Sequence, residues 1–127
     1  MENPYFDSWI EKQAHHLNEH WNDGAFMEAT LAQLQKDLDK FQLSLNVPVS
    51  VESPSHFKQL LLENLAQLLI QLSNQSASLL PQLIYTIDLP ESLFHSILKD
   101  SVNIHHDLAE CILVREAYKV YLRKTLS

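Results

Sequence analysis

The chain has 127 residues, of which 16 are acidic and 9 basic, for a formal charge of −7. That length fits one domain, and a hydrophobic share of 46% supplies the core that disordered chains lack. An acidic surface repels phosphate backbones, so nucleic acid is not an expected partner, while the one glycine, Gly24, rules out the multi-glycine phosphate loops and the G-x-S-x-G nucleophile turn.

The start of the chain, Met-Glu-Asn-Pro-Tyr-Phe-Asp, has no basic region followed by an apolar stretch, so no secretory leader is expected there. The longest unbroken apolar runs are three or four residues, far below the roughly 20 a membrane-spanning helix needs. With Cys111 the only cysteine, no intrachain disulfide can form, and a reducing cytoplasm is the expected setting.

The first helix is predicted over 7–21, capped by Asp7 or Asn3. Phe6, Ile10, Gln13, Leu17 and Trp21 share a face, with Trp9 on its flank. Asn22-Asp23-Gly24 then breaks the pattern, and Gly24 suits the left-handed residue that closes a helix. The second helix, predicted over 25–45, is the clearest: Met27, Leu31, Leu34, Leu38, Phe41 and Leu45 are spaced 4, 3, 4, 3, 4. That spacing makes one narrow stripe suited to helix–helix packing. Glu28, Gln33, Gln35, Lys36, Asp39 and Lys40 form the opposite, solvent-facing side.

Residues 46–54 read as extended linker. A third helix is predicted over 55–72, with Phe57, Leu61, Leu65, Leu68 and Leu72 on its main stripe and enough further leucine to make it central. A fourth is predicted over 77–87, with Pro81 tolerated only in its first turn. Asp88 and Glu91 have the spacing of a capping box ahead of a short fifth helix over 90–98. The sixth is predicted over 103–124. The fold expected is therefore an all-α, single-domain bundle of five to six helices. Its alternative is an α+β fold in which 47–51 and 83–88 form a short hairpin, because Leu83–Ile87 has β-type composition.

The last helix is apolar on two sides. Ile104, Leu108, Cys111, Val114, Tyr118, Tyr121 and Leu122 share a broad face, while Ala109, Leu113 and Val120 fall nearly opposite. Either the helix is central and packs on both sides, or Leu113 and Val120 meet another chain, most simply a second copy. Between the faces runs a basic edge of Arg115, Lys119 and Arg123. It can answer the helix dipole and pair with Glu116 and the acidic helices of the same chain, or it can grip an acidic partner.

Seven histidines raise the question of a metal. His16 and His20 are four apart, as are His106 and Glu110, and residues so spaced on a helix can grip one ion. His16, His20, His106 and Glu110 are the candidate set, should the first and last helices be neighbours, and the cofactor would be a transition metal. Against it, the Glu-x-x-His pair of carboxylate-bridged di-iron bundles is missing, and adjacent His15 and His16 point about 100° apart. Cys111 falls on an apolar helix face and is expected to be buried and inert. No serine stands in an activating context. The reading that results is a non-catalytic helical protein acting through protein–protein contact, most simply as a homodimer, with a metal-binding bundle as the alternative. A carrier with an apolar pocket between the third and last helices is a weaker third.

Overall fold

The computed structural model describes residues 3–47 and 53–126, the side chains of Pro54 and Ser55 excepted. It contains six helices: α1 (Pro4–Leu17), α2 (Gly24–Asp39), α3 (Pro54–Gln75), α4 (Leu79–Ile87), α5 (Glu91–Asp100) and α6 (Ile104–Leu126). No strand occurs among the described residues. Leu83–Ile87 lies in α4, which removes one arm of the alternative hairpin; residues 48–51 of the other arm lie outside the described residues.

Local chemistry sets most of the helix ends. Asn3, not Asp7, caps α1, its Oδ1 accepting from the Phe6 amide at 3.2 Å. Pro4 follows in the first turn, where a missing N–H costs nothing. Asp23 caps α2, accepting from the Ala25 and Phe26 amides. Gly24 is therefore the opening residue of α2 and has no positive φ. The expected helix-closing role fails because the aspartate before it is the stronger N-cap.

The stripe of the second helix outlasts the helix itself. α2 ends at Asp39, and Gln42 turns the chain with a φ of 59°. Leu43 and Leu45 still reach the core, but as irregular chain. Gln35 holds that chain, its amide donating to the Leu43 carbonyl at 3.1 Å and its Oε1 accepting from the Leu45 N–H at 3.2 Å. Asp88 is likewise no capping-box residue. It is the left-handed C-cap of α4 with a φ of 69°, and Pro90, the N-cap of α5, offers no side-chain hydrogen bond. Pro81 sits in the first turn of α4, as it must.

α6 is the centre of the fold and touches each of the other five helices. At one end Asn3 donates to the Ser96 carbonyl and to Ser101 Oγ, and Ser96 Oγ donates back to Asn3 Oδ1 at 3.0 Å. This places the start of α1 beside the start of α6. At the other end His16 lies against Tyr118 and Tyr121, so α1 and α6 run parallel. Ser73 meets His105, and Gln33 and Asp37 meet Arg123 and Lys119. α3 and α2 therefore run antiparallel to α6. Two apolar clusters fill the bundle, one around α4, α5 and the first half of α6, the other around Leu17, Phe26, Phe57 and the second half. Trp9, Ile10, Leu45 and Leu62 pack against both.

The two apolar sides of α6 are thus both covered by the chain itself. Leu113 is fully buried and Val120 is 2% exposed. The expected partner surface at Leu113 and Val120 is an internal seam in this fold, because α2 and α3 occupy it. Among the described residues no helix is long and apolar enough to cross a membrane.

Replacing Leu113 separates these two assignments. In an internal seam Leu113→Ala lowers the unfolding free energy by about 2–5 kcal/mol, and Leu113→Glu abolishes cooperative thermal unfolding. At a partner surface Leu113→Glu would leave a folded monomer. Urea denaturation followed by circular dichroism, with sedimentation of the same samples, reads the difference.

Candidate functional site

Four polar residues interrupt the apolar packing between α2 and α6: Gln33, Asp37, Glu116 and Lys119. Asp37 is 3% exposed and Glu116 fully buried. Helical spacing carries them there. Thr30, Gln33 and Asp37 flank the Met27–Leu34–Leu38 seam at intervals of three and four, so closely packed neighbours enclose them. Gln33 is therefore not on the solvent face where its polarity alone would put it.

Lys119 Nζ lies between the two carboxyls, 2.9 Å from Asp37 Oδ2 and 2.7 Å from Glu116 Oε1. Lys40 approaches Asp37 Oδ1 at 3.3 Å from the more exposed side. The Lys119–Glu116 contact is close but not directed as a hydrogen bond, and an ionised Glu116 would have no hydrogen-bond partner for either oxygen. A proton reduces that deficit, since a protonated Glu116 donates from one oxygen to the Asp37 carboxylate and leaves the other uncharged. The two groups are accordingly driven apart. Burial, reinforced by the hydrogen bond to Asp37 and the negative charge there, pushes Glu116 up to about 8. Burial also pushes Asp37 upward, but the hydrogen bonds from Glu116 and Lys119, the Lys119 charge and Lys40 outweigh it. Asp37 is held at about 2. This is the environment-driven splitting of two carboxyls seen where acid and base roles are assigned. Here, however, the pair is enclosed by side chains.

The basic edge expected on the last helix is engaged within the chain. Arg115 Nη2 donates to Asp88 Oδ2 at 2.9 Å, Lys119 serves the carboxyl pair, and Arg123 donates to Gln33 Oε1. It therefore tethers α4 and α2 to α6 rather than presenting a groove to an acidic partner.

The four candidate metal ligands separate into two groups. His16 lies in the last turn of α1, which ends at Leu17 rather than at 21, and His20 in the turn beyond it, among Tyr118, Tyr121 and Phe26. His106 and Glu110 stand near the start of α6. Tyr118 is twelve residues beyond His106, or about 18 Å along the helix at 1.5 Å per residue. One ion with ligand distances near 2.0–2.2 Å cannot span that gap. The parallel course of α1 causes the separation, because its C-terminal histidines can only meet the C-terminal half of α6. A different trio forms instead: His106, Asp107 and Glu110 offer ligand atoms all within 4.8 Å of one another. Asp107 was not apparent in the sequence because four-residue spacing omits a neighbour one place along. Beside the trio lies an open groove of about 520 Å³ between α3 and α6, lined by Glu63, Asn64, Gln67, Ile70, His105 and His106 among others.

Cys111 is buried as expected, and its thiol is pushed upward by burial and by the charges of Glu110 and Asp107. It is thereby kept in the unreactive form. Lys58 lies over the Trp21 ring at 4.2 Å; burial lowers its pKa, against the opposing charge of Glu110.

The most exposed aromatic of the chain's apolar residues is on α4. Tyr85 is 86% exposed and stands at the rim of a notch of about 270 Å³ lined by Pro81, Ile84, Leu89, Glu91, Phe94 and His95. Nothing in the sequence distinguishes it, because the β-type composition of Leu83–Ile87 gives no helical face to the tyrosine within it. In comparisons with known proteins the chain matches no family model, and no curated protein or solved structure matches it.

Removing the Lys119 ammonium strands the carboxyl pair. Lys119→Met costs about 3–5 kcal/mol, as when one partner of a buried ion pair is lost. Asp37 contributes stability above its unfolded value of 3.8 that disappears as pH falls toward about 2. With Lys119 gone, Asp37 titrates higher, so the midpoint of acid unfolding moves to higher pH, as circular dichroism against pH will show.

Proposed function

We propose that this protein is non-catalytic and acts through contact with another protein, most simply a second copy of itself, and that the contact is made on the α4–α5 surface. The exposed Tyr85 ring beside its notch carries the reading. Tyrosine gives large, stiff, amphipathic contact area and is enriched among the residues that dominate binding energy. Here the ring stands on a helix whose Leu80, Leu83, Ile84 and Ile87 are buried, so its backbone is anchored and only two side-chain torsions remain to be ordered on binding. A projecting ring and an apolar hollow on one face are what a two-fold axis needs, each copy inserting Tyr85 into the notch of the other. The buried single thiol suits a reducing cytoplasm.

The net charge of −7 makes two copies repel at low ionic strength, so self-association strengthens as salt is added. Sedimentation velocity at tens of micromolar is expected to show dimers. Tyr85→Glu returns the protein to a folded monomer with its helical circular dichroism unchanged, because the ring is outside the core, and with a thermal midpoint lowered only by the lost dimer contact. A wild-type monomer under these conditions removes the self-association reading. A Tyr85→Glu protein that still dimerises moves the contact elsewhere.

A second reading is favoured by one observation, the His106–Asp107–Glu110 trio. A nitrogen and two carboxylates on one helix turn are a donor set suited to a divalent transition metal. On this reading, calorimetric titration with zinc gives one site per chain on the wild type and none on a His106→Ala, Glu110→Ala double variant. Equal zinc uptake by the two proteins would place the binding at other histidines.

A further inference from the structure

We infer that the Asp37–Glu116 carboxyl pair is a proton-held clasp between α2 and α6, firm while the pair keeps its proton and progressively weaker as pH rises. It is independent of the α4–α5 contact.

The geometry carries the inference. Glu116 lies in the middle of the central helix with no exposed surface, opposite an almost fully buried carboxylate on α2. Ionised, Glu116 has only the undirected 2.7 Å contact of Lys119 at one oxygen and nothing at the other; protonated, it has the Asp37 carboxylate to donate to, which joins the two helices. The charged groups that act on Glu116 are Asp37, from α2, and Lys119, one turn along its own helix. Lys40 from α2 approaches Asp37 and not Glu116. Arg123 is held by Gln33, and Arg115 is drawn away to Asp88 after α4. A single ammonium thus lies between two carboxyls, and burying a second anion beside the first is costly.

The direction of the effect follows from linkage. Docked, Glu116 titrates near 8; undocked, it returns to its ordinary 4.5. Across that interval the undocked state sheds a proton that the docked state retains, so rising pH favours undocking. The equilibrium shifts by up to tenfold per pH unit and levels off once the docked pair itself ionises. Asp37 acts in the opposite sense only below 3.8, outside that interval. The seam beneath α2 includes Leu113 and Val120, so undocking would uncover the apolar face of α6 that is closed in the docked form.

Amide hydrogen exchange of the whole chain tests this, read from mildly acidic to mildly alkaline pH and corrected for intrinsic exchange rates. Protection of α2 amides is expected to fall by up to tenfold per pH unit in the wild type, ahead of amides in α5. In Glu116→Gln, whose amide still donates to Asp37 but cannot ionise, α2 protection stays level. Equal pH dependence in the two proteins overturns the inference. If Glu116→Gln does not fold, the wild type decides alone, through the ¹³C shift of the Glu116 carboxyl. A carboxyl that titrates well above the ordinary range while α2 loses protection supports the clasp. Ionisation in the ordinary range, or with α2 still fully protected, refutes it.

Discussion

The structure depends on one constraint: α6 is buried on nearly every side from Leu108 to Val120. A helix with apolar residues on opposite faces cannot lie on a surface, since one face would remain in water. The other five helices are accordingly arranged around it. α1 runs parallel to it, α2 and α3 run antiparallel, and α4 and α5 close the end where it begins. Ala109 and Ala117, both fully buried, leave room for neighbouring backbones to come close.

The same constraint explains the polar chemistry. Glu116 falls on a side of α6 which the bundle covers completely, so it cannot reach water and must find its partners in protein. It meets Asp37 and Lys119, and the low polarizability of the surroundings separates the behaviour of two carboxyls that would be alike in water. The basic edge is engaged for the same reason. Arg115, Lys119 and Arg123 emerge at the margins of α6, where they donate to Asp88, Asp37 and Gln33. Positive charge that would mark a binding groove on an isolated helix here binds the bundle together. The exposed Tyr85 and the His106–Asp107–Glu110 trio, by contrast, lie on the periphery of the bundle.

Much of the architecture was legible because it is local. The 4, 3, 4, 3, 4 spacing in the second helix, the position of Pro81, and Cys111 on an apolar face each follow from a helical period and from the geometry of one turn. The differences share a cause. Gly24 reads as a helix end because two adjacent signals, an N-cap aspartate and a flexible glycine, compete for the same place. The stripe through Leu45 reads as helix although residues in irregular chain can fill a core as well. Gln33 lies opposite the apolar stripe by spacing, yet the packing of α2 on α6 buries it. Tyr85 is not marked out at all, because the β-type composition around it gives no helical face.

By itself the sequence determined that six amphipathic segments would form helices, that Asn3 and the prolines could begin them, and that the sixth had too much apolar surface for one neighbour. Those properties reside in residues within a turn or two of each other. Only the tertiary structure decided what covered Leu113 and Val120, which histidines could share an ion, and which acid would be closed away from water. Each of those depends on the relative direction of helices far apart in the chain. The parallel course of α1 beside α6 separated His16 and His20 from His106, and the antiparallel course of α2 brought Asp37 to Glu116. Helix direction is set by the packing of the whole bundle, and no local period encodes it.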